Sequence, residues 1–170
     1  MVKQSAGILL YRFNSSILEV LLAHPGGPFW QKKDIGAWSI PKGEFSDNEA
    51  ALDAAKREVF EELGVEVAGD FISLGKAKQP SGKVVYAWAL KMDFNPKDLK
   101  CNLFSMEWPP KSGKQKEFPE LDKVEWFSIE KAKGKILKGQ VVFIDNLINF
   151  LGVKSNKPSM PGTVQLSFFD

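Results

Sequence analysis

The chain has 170 residues, 44% apolar and 26% charged, which suits one domain with a sizeable core and excludes collagen-like, coiled-coil or wholly disordered architectures. Lysine and arginine total 23 against 21 aspartates and glutamates, a net charge of +2. No global field therefore draws the protein to nucleic acid or to an anionic membrane, and no nucleic-acid partner is expected. The single cysteine, Cys101, cannot form an internal disulfide, no apolar run approaches the roughly 20 residues that span a bilayer, and the first residues lack a secretory signal. These features point to a reducing cytoplasm and away from membrane insertion.

In chain order, residues 2–13 and 17–23 are two apolar, strand-like runs broken by Asn14-Ser15-Ser16, the pattern of a β-hairpin. Residues 24–36 hold three glycines and two prolines and read as a loop long enough to be functional. Trp38-Ser39-Ile40 is expected to be a short strand stopped by Pro41, with Lys42-Gly43 turning the chain towards a helix. In that helix Leu52, Ala55, Val59 and Leu63 recur at helical spacing. Ser46 and Glu49 are expected to make a capping box at its start, and Gly64 supplies its stop.

Further strands are expected at 65–67, 71–77, 84–92 and 124–127. The polar stretch 95–120 reads as an irregular excursion. Short helices follow at about 128–137 and 141–151, the second with Val142, Ile144, Leu147, Ile148 and Leu151 as a docking face. Residues 1–153 are taken as the domain and 154–170 as a flexible or docked tail.

The chemistry concentrates in residues 43–65. Glu58, Glu61 and Glu62 are spaced three and four apart, so they cluster on one helical surface, away from the apolar stripe. Like charges at that spacing repel unless a cation compensates. A donor set made only of oxygen suits a hard ion, Mg²⁺ or alternatively Mn²⁺, bound together with phosphates.

The full pattern is Gly43, five residues, Glu49, seven residues, then Arg57-Glu58-Val59-Phe60-Glu61-Glu62-Leu63-Gly64-Val65. It resembles the Nudix box without a departure, a coincidence of about 10⁻⁹ to 10⁻¹⁰ per start position at average residue frequencies. The resemblance implies a Nudix α/β/α sandwich: a mixed central sheet plus a smaller antiparallel sheet, with flanking helices. It also implies a Mg²⁺-dependent hydrolase that splits a phosphoanhydride bond in a nucleoside diphosphate-linked substrate. By the same resemblance, Glu58 and Glu62 are principal metal ligands and Glu61 is a ligand or helps to activate water. Gly43 lends its carbonyl, and Arg57 is an architectural arginine whose expected partner is Glu49. A further acidic ligand is expected shortly before the last strand, with Glu120 first by spacing, Glu117 second, and Glu125 facing solvent.

The Pro41-Lys42-Gly43 variant is similar to that of dinucleoside polyphosphate hydrolases and related bacterial nucleotide pyrophosphohydrolases. Lys42 therefore reads either as a polyphosphate contact or as a turn lysine. Phe29, Trp30 and Trp108, with Lys32, Lys33, Lys111, Lys114 and Lys116 nearby in sequence, read either as a base-stacking and phosphate-steering surface or as ordinary packing with a wet basic rim. His24 is read as structural rather than catalytic. The expected substrate is a dinucleoside polyphosphate or a related nucleotide. House-cleaning hydrolysis of modified nucleoside triphosphates is the alternative enzyme, and a nucleotide-binding regulator with little turnover is the alternative class. The oligomeric state stays open, a homodimer included. The ending Gln165-Leu166-Ser167-Phe168-Phe169-Asp170 resembles peptides that dock on bacterial sliding clamps, beside the simpler reading that its phenylalanines pack on the domain.

Overall fold

The computed structural model describes residues 2–153. Strands β1 (Gln4–Asn14) and β2 (Ile17–Pro25) form the expected hairpin, paired antiparallel from Asn14 with Ile17 to Tyr11 with Val20. Its two-residue turn places Ser15 and Ser16 at φ of 50° and 71°, the left-handed pairing that matches the twist of the flanking strands. The next strand, β3 (Lys42–Phe45), corrects the sequence reading. Lys42-Gly43 does not simply turn towards the helix but pairs antiparallel with β1, Gly7 opposite Lys42 and Gln4 opposite Phe45. Trp38-Ser39-Ile40 makes only isolated bridges, Ser39 to Ala23 and Trp38 to Ile136.

Helix α1 (Ala51–Leu63) begins later than a cap at Ser46 requires. Its N-cap is Ala50, with no side-chain cap bond. Glu49 cannot complete the box because Arg57 holds both of its carboxylate oxygens, and residues 46–49 close a backbone turn instead. Ala54, Ala55, Val59 and Leu63 are buried, while Leu52 is only half-buried. Burial of side chains the size of Val59 or Leu63 stabilises by about 1.5–3 kcal/mol each. The helix stops at Gly64, whose φ of +78° favours glycine and where an added Cβ would meet Lys100 Cβ at 2.8 Å.

Strands β4 (Ile72–Lys78) and β5 (Val84–Lys91) follow; residues 65–67 join no ladder. The stretch read as an irregular excursion contains a second hairpin, β6 (Leu103–Glu107) with β7 (Gln115–Pro119), which is the smaller antiparallel sheet. Its strands are only five residues long and largely exposed, and β7 is mostly polar, so they carry little of the apolar alternation that marks a strand in sequence. Strand β8 (Leu121–Ser128), helix α2 (Ile129–Lys135) and helix α3 (Val141–Leu151) complete the described chain. Ser128 occupies the N-cap of α2 but makes no capping bond through its side chain.

The main sheet runs β4-β5-β1-β2-β8 with β3 on β1. It is mixed because β1 and β5 are parallel. Alternation along β1 sends Ala6, Ile8 and Leu10 to one core with the buried face of α1. It sends Leu9 and Tyr11 to the other, with Phe143, Ile144 and Leu147 of α3. Helices thus cover both faces, as the expected sandwich requires. No helix among the described residues is long and apolar enough to cross a membrane. The clamp-like ending and the rest of 154–170 lie outside the described residues.

Candidate active site

The box residues meet where α1 packs against β3. A Cβ on Gly43 would fall on the carboxylate of Glu58, so glycine here lets the Glu58 carboxylate lie against the β3 backbone. One turn further along, Glu62 Oε2 accepts the Lys42 backbone N–H at 3.1 Å. Burial pushes the Glu62 carboxyl up to about 8, against the opposing pull of Lys42, with Glu58 and Glu120 adding repulsion. Burial also raises Glu58, partly offset by Arg57. Glu120, from the bend before β8, adds repulsion to both glutamates. Glu117 instead pairs with Ser105 in the small sheet, and Glu125 is exposed on β8.

Arg57 organises the outer edge. It makes two 2.9 Å bonds to Glu49, one of 2.8 Å to Glu58 Oε1, and longer contacts of 3.4 Å to Glu61. The expected pairing with Glu49 is therefore present, and its bonds hold Glu49 below the usual carboxylate range. Side-chain exposure falls from 41% at Glu61 to 13% at Glu58, so the three glutamates grade from a water-facing to a sunken carboxylate.

Among the described residues, no three carboxylate, imidazole or thiol groups already converge as a finished cation cage. Arg57 draws Glu58 and Glu61 towards itself. The donor set still fits a hard divalent ion. Glu62 is a sunken carboxylate with one backbone N–H as its hydrogen-bond donor, Glu58 and Glu120 repel it, and the bare Gly43 backbone lies beside Glu58. All the ligating atoms on offer are oxygens.

Lys42 stands beside this cluster with its pKa lowered, first by burial and then by Lys83. Lys83, from the β4–β5 turn, pairs with Glu44 at 3.3 Å. Sequence reading passed over Lys83 because only the β1–β5 and β1–β3 ladders carry it to Lys42; no local motif marks it. Gln140 was missed for the same reason. Fully buried, it accepts the Ile40 N–H at 3.0 Å and donates to Ser39 Oγ at 3.0 Å, fixing the approach to β3.

The two aromatic loops do meet. Phe29 and Trp108 pack edge to face with ring centroids 5.6 Å apart, yet Phe29 remains 59% exposed. Trp30 is exposed, with the Lys33 ammonium 4.9 Å from its ring centre. Lys32, Lys111 and Lys114 are exposed, and Lys116 lies over Phe118 in the small sheet.

A family model described as NUDIX domain matches residues 1–147. The chain belongs to the Nudix family. As a Nudix hydrolase it acts on pyrophosphate bonds. The C. elegans Ap4A hydrolase, solved as a binary complex, is similar with a TM-score of 0.63 at 22% identity, over 86% of this chain and 97% of that one. The NUDIX domain of Shewanella oneidensis NrtR, complexed with ADP ribose, gives a TM-score of 0.60 at 16% identity, covering 89% of each chain. The E. coli ORF135 protein gives 0.54 at 20% identity, over 92% of this chain and 96% of that one. At these identities the likenesses establish the Nudix fold.

Proposed function

We propose that this Nudix hydrolase cleaves a phosphoanhydride bond in a dinucleoside polyphosphate or a closely related nucleotide, with Mg²⁺ or Mn²⁺ as cofactor. The observation that carries the reading is the sunken Glu62 carboxylate, repelled by Glu58 and Glu120 and bonded to the backbone of β3 beside Gly43. Glu58, Glu61, Glu62 and the Gly43 carbonyl would hold the ion, with Glu120 completing the acidic set. When bound, the ion neutralises phosphate oxygens and orients water at phosphorus.

The remaining work falls to this chain's own side chains. Arg57 and Glu49 lock the outer face of α1, so that Glu58 keeps its place against β3. Glu61, the most exposed of the three, is the carboxylate best placed to take a proton from water. Lys42, with Lys83 beside it, presents positive charge to the phosphates. Phe29, Trp30 and Trp108 offer aromatic faces to a nucleobase, with Lys32 on the same loop. The preference for a dinucleoside polyphosphate rests on the Pro41-Lys42-Gly43 variant. It is also in keeping with the likeness to the C. elegans Ap4A hydrolase.

The test is a hydrolysis screen with and without Mg²⁺ over diadenosine polyphosphates, modified nucleoside triphosphates, ADP ribose and nucleotide sugars. Glu61→Gln and Glu62→Gln serve as controls. Metal-dependent turnover of a diadenosine polyphosphate, lost in both variants, is the expected result. Preferred turnover of a modified triphosphate would transfer the assignment to house-cleaning hydrolysis. Nucleotide binding without turnover under any metal would replace it with a regulator.

A further inference from the structure

The loop of residues 26–36 carries Phe29 and Trp30, and its far end is fastened by a buried histidine. His24, next to last in β2, is 1% exposed. Its Nδ1 lies 2.8 Å from Asp122 Oδ1 on β8, and its Nε2 lies 2.6 Å from the Lys33 carbonyl. The ring thus spans the gap between β8 and the loop, meeting an acceptor oxygen on each side.

Neighbouring side chains enclose the ring. From β8, Asp122 faces the ring directly, and Lys123 lies over the neighbouring Trp38 ring at 5.4 Å. From the loop, Asp34 accepts the Trp38 Nε1–H at 2.8 Å and pairs with Lys135 of α2. Trp38 itself packs edge-on against His24, with ring centroids 5.0 Å apart. Two successive turns transmit the anchor to the aromatics. The Lys33 N–H bonds the Trp30 carbonyl at 2.9 Å, and the Trp30 N–H bonds the Gly27 carbonyl at 3.3 Å.

We infer that His24 is a positioning residue for substrate binding: as a bridge between Asp122 and the Lys33 carbonyl, it sets the loop that holds Phe29 against Trp108. Removing the ring loosens the loop and weakens nucleotide binding, while the carboxylates on α1 remain in place. This rests on the reading of Phe29, Trp30 and Trp108 as the nucleobase surface. The test therefore needs one readout that does not depend on substrate.

Hydrogen exchange of residues 26–36 in the full chain is compared between the wild type and two variants. Asp122→Asn, at a side chain 30% exposed, keeps a hydrogen-bonding group opposite the ring, so its protection should match the wild type. His24→Ala should leave the loop unprotected throughout and raise KM for diadenosine tetraphosphate about tenfold, with kcat within about twofold. Protection that is the same in wild type and His24→Ala, or a fall in kcat at constant KM, overturns the inference. Lost protection with an unchanged KM upholds the anchor and removes instead the assignment of Phe29 and Trp30 to the nucleobase.

Discussion

Helix α1 and the loop of residues 26–36 each bring side chains to one proposed site, but they are held by different means. The helix sinks Ala54, Ala55, Val59 and Leu63 into the core, and its glutamates are tied to β3 and Arg57. The loop is a run of turns with Phe29 59% and Ile35 74% exposed, held at a few polar points around His24 and Asp34. In the proposed site the duties separate: the groups that need a fixed geometry ride on packed elements, while those proposed to face a nucleobase ride on a segment that can differ without disturbing the core.

The comparison breaks most visibly at Glu62. Glu62→Gln should lower hydrolysis by about three orders of magnitude or more. The same change should raise the metal-free thermal midpoint by about 2–4 °C near pH 8. Because the folded-state pKa of Glu62 is raised, to about 8, its contribution to stability is fully present below the ordinary carboxylate range. That contribution is lost as pH climbs towards about 8. The gap between variant and wild type should therefore widen with pH over that window, in melting curves recorded with a chelator.

A smaller effect is expected at Gly43. A methyl there meets the end of the flexible Glu58 side chain, which can swing aside. Gly43→Ala should then cut the rate about a hundredfold while the thermal midpoint moves by only about 2 °C. Arg57→Lys removes the fork on Glu49 and should cost about tenfold in kcat, with less than about 1 kcal/mol in stability because the pair is partly exposed. Smallest in kcat are Phe29→Ala and Trp108→Ala. Steady-state kinetics should show KM raised about five- to tenfold with kcat within about twofold.

Much of the packed half was legible in the sequence. The box glutamates, the apolar stripe of α1, its Gly64 stop and the β1–β2 hairpin are each encoded over a few neighbouring residues. The parts that were not legible depend on distant partners. Strand β3 is the polar run Lys-Gly-Glu-Phe and becomes a strand only by lying on β1. The β6–β7 hairpin is too exposed to show alternation. Ser46 and Glu49 have capping-box spacing, but a side chain two helical turns away takes Glu49 first. At the site, Lys42, Phe29 and Trp108 stood out by residue type, whereas Lys83, Gln140 and the bonding of His24 to Asp122 needed the fold to bring residues far apart in the chain together.

The division of labour can be tested most directly by comparing Glu62→Gln with Phe29→Ala in single-turnover hydrolysis of diadenosine tetraphosphate, each taken to saturating enzyme. The expected result is a Phe29→Ala rate that returns to the wild-type value at saturation and a Glu62→Gln rate that stays about a thousandfold low at every concentration. A Glu62→Gln enzyme that recovers at saturation, beside a Phe29→Ala enzyme that does not, would contradict the placement of the chemistry on helix α1.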